Sequence, residues 1–212
     1  ERYDVIISEP SNPWIAGVAS LFTSEFYAAV RQRLQPGGLF VQWVQGYALE
    51  PDDVRSILTT ALMHFPRATL WRAETYDYLL LAQTEDEPLR LDRLRALWSR
   101  PEMQEEFALL QLAQPEGLLA YHRLDDAPLR RLAAGAVIQT DDHPRLEYRA
   151  PRALLRPNLE ENIEALIASQ REALLPRDVV VENPEPALVA MARTLFGLRE
   201  YDAARAALAA LP

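Results

Sequence analysis

The sequence predicts an α/β protein, the second half of a mixed sheet in the order βαβαββ, with a helical extension behind it. Three observations carry this. Val5-Ile6-Ile7 and Leu39 to Val44 are apolar runs of strand length separated by one helical pattern. Ala68 to Arg72 and Tyr76 to Gln83 follow a second helix and are split by a short polar turn, as an antiparallel pair is. From Leu89 onward the text is rich in Leu, Arg and Glu and reads as helices.

Element by element, Val5, Ile6 and Ile7 form a β-branched run with no polar alternation, which predicts a strand buried on both faces. Only two residues precede Tyr3-Asp4, and the first residue is Glu rather than Met. The expectation is therefore a piece of a longer protein, whose sheet partners come from later in the chain or from residues outside it. IAGVASLFTSEF reads as a loop with a glycine leading into a helix. Thr23 is its N-cap, Glu25 lies in the first turn, and Phe22, Phe26, Val30 and Leu34 recur at four-residue steps. Pro36-Gly37-Gly38 is the expected stop, and Leu39 to Val44 the next strand. Strand, helix and strand make a βαβ unit, so the two strands should run parallel. Pro51, Asp52 and Asp53 open the second helix, with Val54, Ile57, Leu58, Ala61, Leu62 and Phe65 as its buried stripe.

Between Leu89 and Ala134, Pro101, Pro115 and Pro128 divide the text into short helices. A polar tract, Thr140 to Tyr148, leads to Pro151 and Pro157, which read as a boundary. Asn158 to Leu175 has helical period, with Ile163, Ile167 and Leu174 on one side. The closing PEPALVAMARTLFGLREYDAARAALAALP reads as two short helices about a turn near Gly197 to Glu200. Ala192, Leu195, Tyr201, Ala204 and Leu208 alternate small and large in the manner of a tetratricopeptide-type repeat, the alternative being an amphipathic hairpin packed on the body. The expected organisation is a sheet domain over 1–152, a helical linker over 153–184 and a helical hairpin over 185–212.

Composition narrows the chemistry. Acidic residues outnumber basic ones 31 to 22, and the net charge of −9 argues against a nucleic-acid surface. Every basic residue is Arg, which excludes Schiff-base and P-loop lysine chemistry on this chain. There is no Cys, hence no thiol nucleophile, disulfide or thiolate metal site. His64, His122 and His143 lack the spacing of a helical metal pair, and no metal is expected. No window of the sequence suits a membrane span.

In doubly wound sheets ligands bind beyond the carboxyl ends of the strands, which makes SEPSNPW, after the first strand, the site candidate. Glu9 could accept a proton or attract a cationic amine, Asn12 could orient that group, and Trp14 could give a cation an aromatic wall. The competing reading is that Asn12-Pro13 only builds a turn, with Glu9 solvated.

YDVIISEPSNPW, with SLFTSEFY, LQPGGLFVQW, LWRAETYDYLLLAQT and TDDHPRLEYRAPR, resembles the second half of the spermidine synthase family. Those proteins are aminopropyltransferases on the class I methyltransferase fold, and the likeness runs over residues 1 to 152. The closing motif is similar to the bacterial type whose synthase-like domain can be fused to a membrane transporter. The resemblance implies the C-terminal half of a Rossmann-like sheet and transfer of an aminopropyl group from decarboxylated S-adenosylmethionine to putrescine or a related amine. It aligns Glu9 with the family's proton-accepting aspartate and Asn12 with an amine-binding acid; both depart from the family pattern. It also implies Gln42 beside the substrate, Glu9 and Pro10 against the co-substrate, and Tyr76 and Asp77 near the substrate-side strands, where they read as ordinary strand residues. The fold's glycine-rich loop has no counterpart in this sequence. A small-molecule amine, a homodimer and a protein partner met through helical repeats are the expected partners, and the expected location is the cytoplasm, alone or as the cytoplasmic part of a membrane-anchored protein.

Two other readings stand beside this one. Asn12-Pro13-Trp14 is similar to the asparagine-proline-aromatic element of some S-adenosylmethionine-dependent N-methyltransferases. The departures at Glu9 and Asn12 would equally suit a methyltransferase-like scaffold that assembles through repeats.

Overall fold

A computed structural model describes residues 1–110, 112–156, 159–181 and 183–211. In chain order its elements are β1 (Tyr3–Ser8), α1 (Ser24–Arg33), β2 (Leu34–Gln45), α2 (Pro51–Leu62), β3 (Arg67–Glu74) and β4 (Asp77–Gln83). They continue as β5 (Leu89–Arg90), α3 (Leu91–Trp98), α4 (Pro101–Leu109), β6 (His122–Leu124), α5 (Asp126–Ala133), α6 (Arg145–Ala153), α7 (Leu159–Ser169), β7 (Val179–Val180), α8 (Pro184–Gly197) and α9 (Tyr201–Ala209). Two 3-10 helices, Val18–Phe22 and Pro115–Tyr121, complete the list. The chain divides into two compact units, Glu1–Glu87 with Arg123–Arg171, and Pro88–His122 with Glu172–Pro212. These units cut the sequence elsewhere than the 1–152, 153–184 and 185–212 expectation.

The first unit is built on a five-stranded mixed sheet of order β1-β2-β4-β3-β6. β1 and β2 are parallel, as the βαβ reading requires, whereas β4 runs antiparallel to both β2 and β3. The sheet is mainly antiparallel and, with its helices, compatible with a methyltransferase-like α/β fold. Burial alternates along β2 and β4: Phe40, Gln42 and Val44 face the core beside Tyr78, Leu80 and Ala82, while Val41, Trp43, Leu79 and Leu81 are half-buried on the other face. Tyr27 and Val30 of α1, the Val54 to Leu62 stripe of α2, and Leu129, Leu146 and Ile163 cover the core face. Phe65 stacks on Phe40 at 5.7 Å. This helix-on-sheet core is what holds the strand ends in place.

Local chemistry explains the helix starts. The Thr23 hydroxyl accepts the Phe26 N–H and donates to Asp141, so the expected N-cap also ties down the polar tract before α6. At α2 the Glu50 and Asp53 carboxylates form a capping box that spans Pro51, and Arg149 pairs with Asp53 at 2.8 Å.

Several expectations are corrected. β1 is not buried on both faces: it is an edge strand with Val5 50% and Ile7 72% exposed, because β2 is its only neighbour among the described residues. Pro36-Gly37-Gly38 is not a turn outside the strands. It lies within β2, where the register slips between Tyr3↔Leu34 and Val5↔Leu39, and Gly37 takes a φ of 72°. Pro151 lies inside α6 rather than at a boundary; Pro157 and Asn158 fall outside the described residues. The helix expected to reach Leu175 ends at Ser169, and Leu174 stands after it, close before Pro176, which disfavours helical backbone in the residue ahead of it. The Leu89 to Ala134 stretch carries the short strands β5 and β6 as well as helices.

In the second unit β5 pairs in parallel with β7, and α8 packs on the 3-10 helix Pro115–Tyr121. The approach is close at Gly117, where any side chain would meet the Thr194 hydroxyl at 2.6 Å. α8 and α9 are joined by Leu198–Glu200, with Arg199 at φ 63°. Ala192, Leu195 and Ala204 are buried, whereas Tyr201 and Leu208 are exposed, and Tyr201 stands edge-on to the exposed Phe196.

Candidate active site

The carboxyl ends of the parallel strands β1 and β2 lie side by side, with Ser8 opposite Gln42. One residue past β1, Glu9 is exposed, and its carboxylate has no hydrogen-bond or ion-pair partner among the described residues. Pro10 and Pro13 are buried and Asn12 is half-buried. The chain then turns: the Asn12 carbonyl accepts the Ile15 N–H at 3.0 Å, and Gly17 adopts a φ of 84° ahead of the 3-10 helix. Trp14 is partly buried against the core. Thus the opening stretch builds turns at its backbone while presenting a free carboxylate.

Gln42 is fully buried and bonded at both ends of its amide. Oε1 accepts the Tyr27 hydroxyl at 2.5 Å, and Nε2 donates to the Leu21 carbonyl at 2.9 Å. Burial drives the Tyr27 phenol far above its ordinary pKa, against the opposing pull of the Gln42 bond. The phenol therefore stays protonated and donates. Gln42 thus clamps α1 and the preceding 3-10 helix to the sheet.

Three residues further on, the end of β2 carries Gln45, which the sequence reading passed over, opposite Asp77, which it read as an ordinary strand residue. Gln45 pairs across the ladder with Asp77, the first residue of β4, so their side chains share a face. Gln45 is 2% exposed; its Nε2 donates to the Tyr47 carbonyl at 3.0 Å, while its Oε1 is buried without a partner among the described residues. Asp77 Oδ1 is likewise buried and unpartnered. Burial raises the Asp77 pKa above the usual carboxylate range; a hydrogen bond from Trp43 opposes this and the Glu74 charge adds to it. Burial and the Asp77 charge also raise the Tyr47 phenol. Two orphan acceptors side by side form a place where a donor, above all a cationic one, would be stabilised.

The backbone there is forced. Tyr76 and Ala48 have φ of 65° and 50°, and the Gly46 N–H donates to the Tyr76 carbonyl at 2.6 Å. A side chain at Gly46 would meet the Tyr78 ring at 2.6 Å. Such strain persists only where the surroundings impose it, and it gathers at functional sites. The sequence signal available was small: a Gln-Gly at a strand end and a Tyr-Asp at a turn.

Elsewhere His64 Nε2 lies 2.9 Å from the Ser24 hydroxyl, and burial lowers its pKa against the attraction of Glu25. Among the described residues no cluster of three His, Asp or Glu side chains could hold a metal ion, and no helix is long and apolar enough to cross a membrane.

No family model matches the sequence. Over 162 residues, 68% of this chain, it is 31% identical to a polyamine aminopropyltransferase of Synechococcus sp. (strain JA-2-3B'a(2-13)). The chain spans about half of that relative's length, 49%. This likeness supports a spermidine synthase-like relationship at the level of the family.

Proposed function

We propose that this chain contributes the amine side of an aminopropyltransferase, moving an aminopropyl group from decarboxylated S-adenosylmethionine to a polyamine or related amine. The observation that carries the reading is the pair of unpartnered acceptors, Gln45 Oε1 and Asp77 Oδ1, at the end of the strand beside Glu9. The likeness to the Synechococcus protein named polyamine aminopropyltransferase supports it.

In this reading a neutral amine nitrogen attacks the propyl carbon bonded to the sulfonium sulfur. The carbon–sulfur bond breaks, its electron pair leaves with sulfur in methylthioadenosine, and Glu9 takes the proton from the new ammonium. Glu9 and Pro10 border the co-substrate; Asn12 and Trp14 line the amine's approach. Gln42 acts at one remove, as a positioning residue that fixes the 3-10 helix and α1 next to the strand ends. Asp77 supplies the second negative charge that Asn12, being an amide, does not. Ile7 shares a sheet face with Val41, and hence with Gln45 and Asp77, and Glu9 follows two residues on, just past the end of β1. Ladder spacings put the two carboxylate-bearing backbones about 12 Å apart, which two side chains and a short diamine can bridge.

The test is incubation of the complete gene product with decarboxylated S-adenosylmethionine and a panel of diamines and polyamines. Release of methylthioadenosine with at least one amine is the expected result; none with any amine ends the proposal. Turnover of S-adenosylmethionine to S-adenosylhomocysteine instead would assign N-methyl transfer.

A further inference from the structure

A polar cavity of 180 Å³ lies within the sheet unit, between the first turns of α2, the loop after α5, and α6. Its walls are pinned by the chain's own bonds. The Ser56 hydroxyl donates to the Val137 carbonyl, and the buried Gln139 amide donates to Ser56 at 2.6 Å while accepting the Leu146 N–H at 3.1 Å. Arg55 of α2 is used in full, reaching the Leu132 and Ala134 carbonyls and the Asp52 carboxylate. Arg145 and Arg149 are not. Arg149 gives only its Nε to Asp53, at 2.8 Å, and the Arg145 guanidinium has no hydrogen-bond or ion-pair partner among the described residues. The N–H groups of Gly135 and Val137, which also line the cavity, are likewise unbonded among the described residues.

Local electrostatics oppose this placement of cations. Arg145 is the first residue of α6, at the positive end of the helix dipole, and Arg149 repeats its charge one turn on. The carboxylates of the wall leave a surplus: Asp53 is shared between Arg149 and the Glu50 N–H, and Asp52 is engaged by Arg55, so three guanidiniums face two carboxylates. We propose that the cavity binds a small oxyanion, the phosphoryl or carboxylate group of a small molecule, gripped by Arg145 and the free terminal nitrogens of Arg149. A guanidinium fork matches both groups in shape and charge. Size narrows the ligand further. The cavity has the volume of about six liquid waters, enough for phosphate or a small carboxylic acid, whereas a nucleotide-sized ligand needs about 300 Å³ or more. None of Glu9, Gln45 and Asp77 lines it, so the site stands independently of the transferase reading.

Calorimetric titration of the complete gene product with inorganic phosphate, and separately with acetate, at constant ionic strength tests this without reference to activity. At least one of the two should bind one to one, and Arg145→Gln should weaken that binding about tenfold or more, the worth of a charge-assisted hydrogen bond. Binding of neither anion, or binding that Arg145→Gln leaves unchanged, overturns the proposal. Tighter binding of phosphate would support a phosphoryl ligand, and tighter binding of acetate a small carboxylic acid. Arg149→Lys, which keeps the charge beside Asp53 but loses the fork, should also weaken binding. Thermal melts supply the control for folding. Without added anion, Arg145→Gln should melt at or above wild type, because it removes a cation from the helix start. Saturating anion should then raise the melting temperature of wild type more than that of the variant. An equal rise in both would mark a general salt effect and overturn the site.

Discussion

Gln42 and Gln45 are three residues apart on one strand, both almost fully buried, yet their circumstances are opposite. Three residues before the end of β2 the Gln42 amide is bonded at each end to the chain's own groups. At the end of β2 the Gln45 side-chain carbonyl oxygen has no partner among the described residues, and neither has Oδ1 of Asp77, the residue paired with it across the ladder. A polar group satisfied internally contributes stability and specifies packing. One buried without a partner costs stability until something supplies the missing donor. In the proposed reading the contrast separates residues that build the site from residues that hold the amine.

Substitutions should split along the same line. The largest effect is expected from Gln42→Leu, which strands the Tyr27 hydroxyl and the Leu21 carbonyl in the core; about 2–4 kcal/mol of stability should be lost, read by urea denaturation. Tyr27→Phe, which orphans only Gln42 Oε1, should cost less, about 1–2 kcal/mol by the same measurement. A loss for Gln42→Leu no greater than for Gln45→Leu would erase the distinction.

Asp77→Asn should act in the reverse sense. Because burial raises the native Asp77 pKa above its unfolded value near 3.8, the folded state binds more protons and stability falls as pH rises through that window. The amide removes this loss, so the variant should melt higher than wild type at neutral pH and match it below about pH 3.8, seen in thermal melts across pH. Its amine KM should rise about ten- to a hundredfold, the worth of one charge-assisted hydrogen bond. Gln45→Leu should likewise raise the amine KM and, since it strands only the Tyr47 carbonyl, cost less stability than Gln42→Leu.

The smallest effect concerns His64. Its native pKa is depressed, so the folded state binds fewer protons, and stability should fall as pH drops below about 6.5, where the unfolded imidazole takes up its proton. His64→Asn should flatten the acid limb of the stability curve below that pH.

Much of this architecture was legible because it is written in local periodicity. The α2 stripe from Val54 to Phe65, the Thr23 cap and the hairpin of β3 and β4 all follow from spacing within a dozen residues. What was not legible depends on neighbours. A β-branched run such as Val5-Ile6-Ile7 suits a buried strand and an edge strand equally; only the sheet order tells them apart. The stop at Pro36-Gly37-Gly38 turned out to be an irregularity within β2, since glycine and proline mark bulges as well as turns. Around the candidate site, Glu9, Asn12 and Trp14 stand out from their place after a strand, and Pro10 only through the family resemblance. The opposition of Gln45 and Asp77, thirty-two residues apart in sequence, exists only once the antiparallel register of β2 and β4 is known. The satisfaction of Gln42 by Tyr27 is likewise a helix-to-sheet contact that no spacing announces.

Glu9→Gln, assayed beside wild type for methylthioadenosine release at saturating amine, bears most directly on whether a carboxylate at the end of β1 accepts the amine's proton. Since the Glu9 side chain is exposed and unpaired, the melting temperature should not move, while turnover should drop about 10²- to 10⁴-fold. Turnover within about threefold of wild type would place proton acceptance elsewhere and undo the assignment of Glu9.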